Sequence, residues 1–89
     1  MELQGKQGEI KIYTTPWCPF CIRAKQLLRK KAIAFEDIDV SSRTDIRDEL
    51  VKLTGSRTVP QIFINGQSVG GCDELFVLEK AGKLDSMVA

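Results

Sequence analysis

The stretch EIKIYTTPWCPFCIRAKQLLRKKAIAFEDIDV, residues 9–40, changes its hydrophobic period twice, and those changes decide the fold. From Glu9 to Thr14 the pattern alternates, with Ile10 and Ile12 on one side and Glu9, Lys11 and Tyr13 on the other, which predicts a half-buried strand. Thr15-Pro16-Trp17 interrupts it. Residues Pro19 to Lys31 then carry Phe20, Ala24, Leu27 and Leu28 at helical spacing, and Pro19 suits a first helical position. Phe35 to Val40 returns to strand formers, with Ile38 and Val40 on one side and Phe35 out of phase with them. Strand, helix and strand within about thirty residues form a βαβ unit, whose two strands must run parallel.

Downstream, Ser42 and Asp45 form a capping pair ahead of Ile46, Leu50 and Leu53, and Gly55 supplies a stop, so a second helix is expected there. Gln61 to Ile64 is a short apolar strand, Asn65-Gly66 a hairpin turn, and Gln67 to Gly70 the antiparallel return. Asp73 to Ala81 repeats Leu75, Leu78 and Ala81 near helical spacing before Gly82, and Lys83 to Ala89 is expected to add a short turn. The expectation is an α/β fold: a four-stranded mixed sheet, two parallel strands plus an antiparallel hairpin, flanked by about three helices. The first strand should lie centrally with its C-terminal end at the ligand side. Residues 1–8 read as a polar tail and 9–89 as one domain.

Thirteen Lys and Arg against twelve Asp and Glu leave a formal charge of +1, too balanced to hold nucleic acid or a membrane surface. The basic run Arg29 to Lys31 ends a helix, where cations offset the dipole. Met1 to Gly8 lacks the apolar core of a secretory signal, no apolar run reaches membrane-spanning length, and a cytoplasmic location is expected.

Chemistry concentrates at Cys18 and Cys21. With three cysteines and no histidine, the chain offers neither a disulfide framework nor the four ligands of a structural zinc site, so no metal is expected and a redox pair is favoured. Thiol–disulfide exchange needs a thiolate, and an ordinary cysteine is mostly protonated at neutral pH. Cys18 lies at the expected helix start, where free N–H groups and the positive dipole end stabilise a negative sulfur. Cys21 follows one turn deeper on the same side, placed to resolve the mixed disulfide left after Cys18 attacks. Pro19 restricts the loop between them. Trp17 and Phe20 flank the pair as core or as contact surface.

Three motifs, IYTTPWCPFC at 12–21, TVPQIFINGQ at 58–67 and GGCDEL at 70–75, resemble the dithiol glutaredoxins in order and spacing. The resemblance implies a thioredoxin-like fold, glutathione as reducing co-substrate, and protein disulfides or glutathionylated proteins as substrates of a monomeric enzyme. It also implies a cis Val59-Pro60 bond facing the cysteines, so that Thr58, Val59 and Pro60 border a peptide-like ligand. Gly71, Cys72 and Asp73, at a helix start, would take one carboxylate and the ammonium of glutathione, and Arg47 and Arg57 its glycine carboxylate. The chain departs from the common pattern at Thr15, where a lysine is frequent, and at Phe20, where a tyrosine is frequent. Cys72 reads either as a passive small residue or as a glutathionylation target. Two other functions stay open: an iron–sulfur carrier, with two chains each giving Cys18 to a cluster completed by glutathione, and a thioredoxin-like protein reduced by a flavoenzyme. Pro19 argues against the carrier, because a small residue is more usual after its first cysteine.

Overall fold

A computed structural model of the chain describes residues 9–88. The expected polar tail at 1–8 lies outside the described residues, as does Ala89. Four strands and four helices follow in the order β1 (Ile10–Thr14), α1 (Pro19–Lys30), β2 (Glu36–Asp39), α2 (Thr44–Thr54), β3 (Gln61–Ile64), β4 (Gln67–Gly70), α3 (Cys72–Lys80) and α4 (Leu84–Val88).

The sheet order is β2-β1-β3-β4. β1 runs parallel to β2, with Ile12 opposite Asp37, and antiparallel to β3, with Ile12 opposite Ile62. β3 and β4 form the antiparallel hairpin. Asn65 and Gly66 both take positive φ, 54° and 80°, as a two-residue turn matching strand twist requires. The Asn65 side chain accepts from the Glu9 N–H at 2.9 Å and so ties the turn to the start of β1.

Alternation places Ile10, Ile12 and Thr14 on the buried side of β1. Ile10 and Ile12 meet Ala24 and Leu28 of α1, Ile62 and Ile64 of β3, and Cys72 and Leu75 of α3 in one apolar cluster. Leu84 and Val88 complete it, so the segment expected to add only a short turn is a helix that closes the core. Lys31 fastens this corner, its Nζ lying 2.8 Å from Glu79 Oε1 of α3 and 3.1 Å from Asp85 Oδ1 of α4.

Three expectations need correction. α2 begins after Arg43 rather than at a Ser42 cap: Arg43 has no side-chain cap bond and instead grips Asp45 through two hydrogen bonds of 3.1 and 3.0 Å. Leu53, in helical phase with Ile46 and Leu50, is 66% exposed because it faces away from the packed side near the helix end. α3 stops at Lys80, leaving Ala81 exposed at its C-cap. Gly55 ends α2 as expected, at φ 76°. Phe35 packs partly against the core under the Arg29 guanidinium, 5.5 Å from its ring centre.

Candidate functional site

β1 delivers the chain through Thr15-Pro16-Trp17 to the first turn of α1, at the C-terminal end of a central strand. Cys18 is the N-cap, with extended backbone (φ −93°, ψ 113°), and Pro19 follows in the first helical position. The half-buried Cys18 Sγ accepts a hydrogen bond from the Cys21 N–H at 3.2 Å, as a capping oxygen would. Both thiols are free.

Cys21 is fully buried one turn on. Burial first, then its hydrogen bond with Cys18, pushes its pKa from the ordinary 9.0 up to about 12. The two sulfurs therefore differ in kind: one meets solvent, the other is enclosed and holds its proton.

The Val59-Pro60 peptide is cis and packs beside this turn, with the Val59 carbonyl oxygen 3.6 Å from Cys18 Sγ. Pro60 is buried, and a Cβ built on Gly71 would come 3.1 Å from the Pro60 carbonyl oxygen. A side chain there would press on the loop, so glycine suits the close approach of the start of α3. Gly71 is the N-cap of α3, its N–H donating to Glu74 Oε1 at 2.8 Å. Thr58, Pro60 and Gly71 share the wall of a cleft of about 320 Å³, whose floor includes Thr54, Ser56 and Gln61. Those three residues are interlocked, with Thr54 Oγ1 donating to Gln61 Oε1 at 3.0 Å and Gln61 Nε2 to the Ser56 backbone carbonyl at 2.7 Å.

The remaining expected residues stand around this centre. Asp73 is exposed in the first turn of α3. Arg57 is exposed on the loop before the cis proline, 3.6 Å from Asp48, and Arg47 lies half-buried beside Asp48 on α2. Arg47, Arg57 and Asp73 are not part of the cleft wall shared by Thr58, Pro60 and Gly71. Cys72 is buried at 5% exposure, and burial, reinforced by Asp73, raises its pKa against the pull of Arg23. An enclosed, protonated thiol fits the passive reading of this residue. Trp17 and Phe20, ambiguous in sequence, are 73% and 52% exposed, so they form rim rather than core.

Behind Cys21 lies a polar network that the sequence reading missed. Lys25 Nζ is 2.7 Å from Asp37 Oδ2, and Asp37 Oδ1 accepts from the buried Thr14 hydroxyl at 2.5 Å. Partial burial opposes ionisation of Asp37, but the bonds from Lys25 and Thr14 hold its pKa below the usual carboxylate value. The spacing of Lys25 four residues after Cys21 was the available signal. Its partners needed the parallel register of β1 and β2. Among the described residues, no group of three or more His, Cys, Asp or Glu side chains is arranged to hold a metal ion, and no helix is long and apolar enough to cross a membrane.

Comparison with known proteins gives a consistent result. A family profile described as Glutaredoxin matches residues 10–69. A glutaredoxin of Pseudomonas aeruginosa is 52% identical over 80 residues, covering 90% of this chain and 95% of its own. Glutaredoxin 3 of Escherichia coli is 43% identical over 81 residues, covering 91% and 98%. Among solved structures, the Brucella melitensis glutaredoxin superposes with a TM-score of 0.85 at 46% identity, covering 97% of this chain and 94% of that one. A buckwheat glutaredoxin in complex with glutathione superposes with a TM-score of 0.86 at 31% identity, covering 91% and 76%. With its paired cysteines at the head of α1 and the cis proline beside them, the chain belongs to the glutaredoxin family, the thioredoxin-fold thiol oxidoreductases that work with glutathione.

Proposed function

We propose that the protein reduces protein disulfides and glutathione mixed disulfides, with Cys18 as nucleophile and Cys21 as resolving thiol. The observation that carries this reading is the asymmetry of the pair: Cys18 Sγ takes the Cys21 N–H at 3.2 Å at a helix N-terminus, while Cys21 is enclosed and protonated. A sulfur in the N-cap place is the one on which the helix favours negative charge, and it is also the one a substrate can reach. Cys18 thiolate attacks one sulfur of the substrate disulfide, a Cys18–substrate bond forms, and the other sulfur leaves as a thiol after taking up a proton. On a protein disulfide, Cys21 then displaces the substrate from Cys18, and two glutathione molecules reduce the resulting Cys18–Cys21 bond while becoming glutathione disulfide. On a glutathione mixed disulfide, a second glutathione releases the first from Cys18 without using Cys21.

The glutathione site in this reading follows the cleft edge. Val59, whose carbonyl oxygen lies beside Cys18 Sγ, pairs with the ligand backbone as an added strand would, between Thr58 and Pro60. The amides of Gly71, Cys72 and Asp73 at the head of α3 take one carboxylate, the Asp73 carboxylate the ammonium, and Arg47 with Arg57 the other carboxylate. That a buckwheat relative was solved with glutathione supports the choice of ligand. A monomer formed by residues 9–89 and working in the cytoplasm completes the proposal, the location resting on the use of cysteine as a reactive pair rather than as a framework.

A glutathione-coupled turnover assay tests the assignment. Cys18→Ser loses both activities. Cys21→Ser loses protein-disulfide reduction and keeps removal of glutathione from a glutathionylated peptide. Undiminished turnover by Cys18→Ser would refute the mechanism.

A further inference from the structure

Resolution asks Cys21 to become a thiolate in the most enclosed part of the site, and its surroundings mostly oppose that. In the reduced pair, burial, the Cys18 hydrogen bond and the Cys18 charge all disfavour the ionised form, while the Thr15 backbone and the charge of Lys25 favour it; in the mixed disulfide the Cys18 charge is gone and burial is the main opposition. Lys25 thus contributes a cation that acts on this sulfur.

Its placement is a product of the fold. Residues four apart on a helix share a face, and long helical side chains lean back over the preceding turn, which brings the Lys25 stem toward Cys21. The ammonium is held by the 2.7 Å contact with Asp37 Oδ2, and its side chain is only 15% exposed. Asp37 is itself oriented by the Thr14 hydroxyl, so α1, β2 and β1 each contribute one member. The other charges near this network are Arg29 of α1, acting on Asp37, and Asp39 of β2, acting with Lys25. As a mere staple between helix and sheet, a solvent-touching ion pair contributes little. A cation fixed one turn behind a thiol that must ionise has a use beyond that.

We propose that Lys25, oriented by Asp37 and Thr14, is a positioning residue for the resolving half-reaction, where its ammonium offsets the negative charge that forms on Cys21 as it attacks the Cys18–substrate disulfide. The inference rests on the reading of Cys21 as resolving thiol. Cys21 S–H gives its proton to solvent, and its sulfur bonds to Cys18 Sγ. The Cys18–substrate bond breaks, and the departing substrate sulfur takes up a proton. The cysteine pair is oxidised and the substrate reduced, with no outside electron donor in this step.

The test compares Lys25→Gln, Lys25→Arg and Cys21→Ser. Stopped-flow release of the substrate thiol from a Cys18 mixed disulfide with a chromogenic aromatic thiol, from pH 6 to 10, reads the resolving step. Turnover of a glutathionylated peptide reads the route that bypasses it. Lys25→Gln should slow thiol release about tenfold at neutral pH, move the rising limb of its pH profile up by about one unit, and leave peptide turnover within about twofold. Lys25→Arg should restore both rate and profile. A Lys25→Gln protein with the parental release rate and profile would overturn the proposal. So would equal loss of both activities, or failure of Lys25→Arg to rescue. Should Lys25→Gln fold poorly by circular dichroism, Lys25→Met, which keeps the packing of the stem, carries the same comparison. Cys21→Ser separates the two layers of argument: if it still releases the thiol at the parental rate, the two-cysteine mechanism fails. If it does not, while Lys25→Gln behaves as the parent, only the role of Lys25 fails.

Discussion

Alkylation of the reduced protein gives a direct measure of how differently the two active-site sulfurs are held. With a pKa of about 12, only about one Cys21 in ten thousand is ionised at pH 8, against about one in ten for a thiol at the ordinary 9.0. Iodoacetamide reacts with thiolate, so ionisation alone should slow labelling of Cys21 about a thousandfold on folding, and its complete burial slows it further. Intact-mass analysis at pH 8 should show a single adduct, peptide mapping should place it on Cys18, and the same treatment in denaturant should give three. Two adducts appearing at similar rates on the native protein, at Cys18 and Cys21, would refute the reasoning. The same shift predicts alkaline destabilisation. Between about pH 9 and 12 the unfolded chain releases the Cys21 proton while the folded one keeps it. Stability from this thiol is therefore full below 9 and falls as pH rises, by up to about 1.4 kcal/mol per unit. Urea unfolding at pH 8 and 10.5 reads the loss, and Cys21→Ser should flatten it.

Two further outcomes test the packing. Leu28→Ala removes a fully buried side chain at the meeting of α1 and the sheet and should lower unfolding free energy by about 2–5 kcal/mol in urea titration. Gly70→Ala should destabilise by about 1–3 kcal/mol, because the site has φ 106° and a new Cβ would meet Glu74 Cγ at 2.7 Å and disturb the cap of α3. Gly66→Ala, at φ 80° with open space around it, should cost less, and equal thermal shifts for the two would contradict this account.

What the sequence disclosed was whatever depends on neighbours along the chain. The alternation of Ile10 and Ile12, the Asn65-Gly66 turn and the position of Cys18 against Pro19 are local signals, and each appears in the structure where its pattern placed it. Leu53 shows the limit of periodicity, since a residue in phase with Leu50 is covered only if another element reaches that far along α2. Leu84 and Val88 show the opposite limit: too few residues for a periodic signal, yet both buried in the apolar cluster beside α3. The Thr14, Asp37 and Lys25 network could not be read in advance, because its members come from three elements and their meeting depends on the register of β1 against β2. The site residues divide similarly. Cys18 and Cys21 follow from one helix start, whereas the approach of Gly71 to the Pro60 carbonyl is a tertiary fact.

An open sheet has two borders, and a border with free peptide groups recruits other strands. Here β2 occupies one of them with Glu36, Asp37 and Asp39 in four positions. A second molecule attempting to extend the sheet there would bring its own carboxylates into the same row. At the opposite border, β4 is only four residues long and turns away at Gly70. For a protein whose formal charge is just +1, colloidal stability then depends on where the charges sit more than on their sum. Because hydrogen bonds hold both Asp37 and Asp39 below the ordinary carboxylate range, the negative charge along that border persists into mild acid.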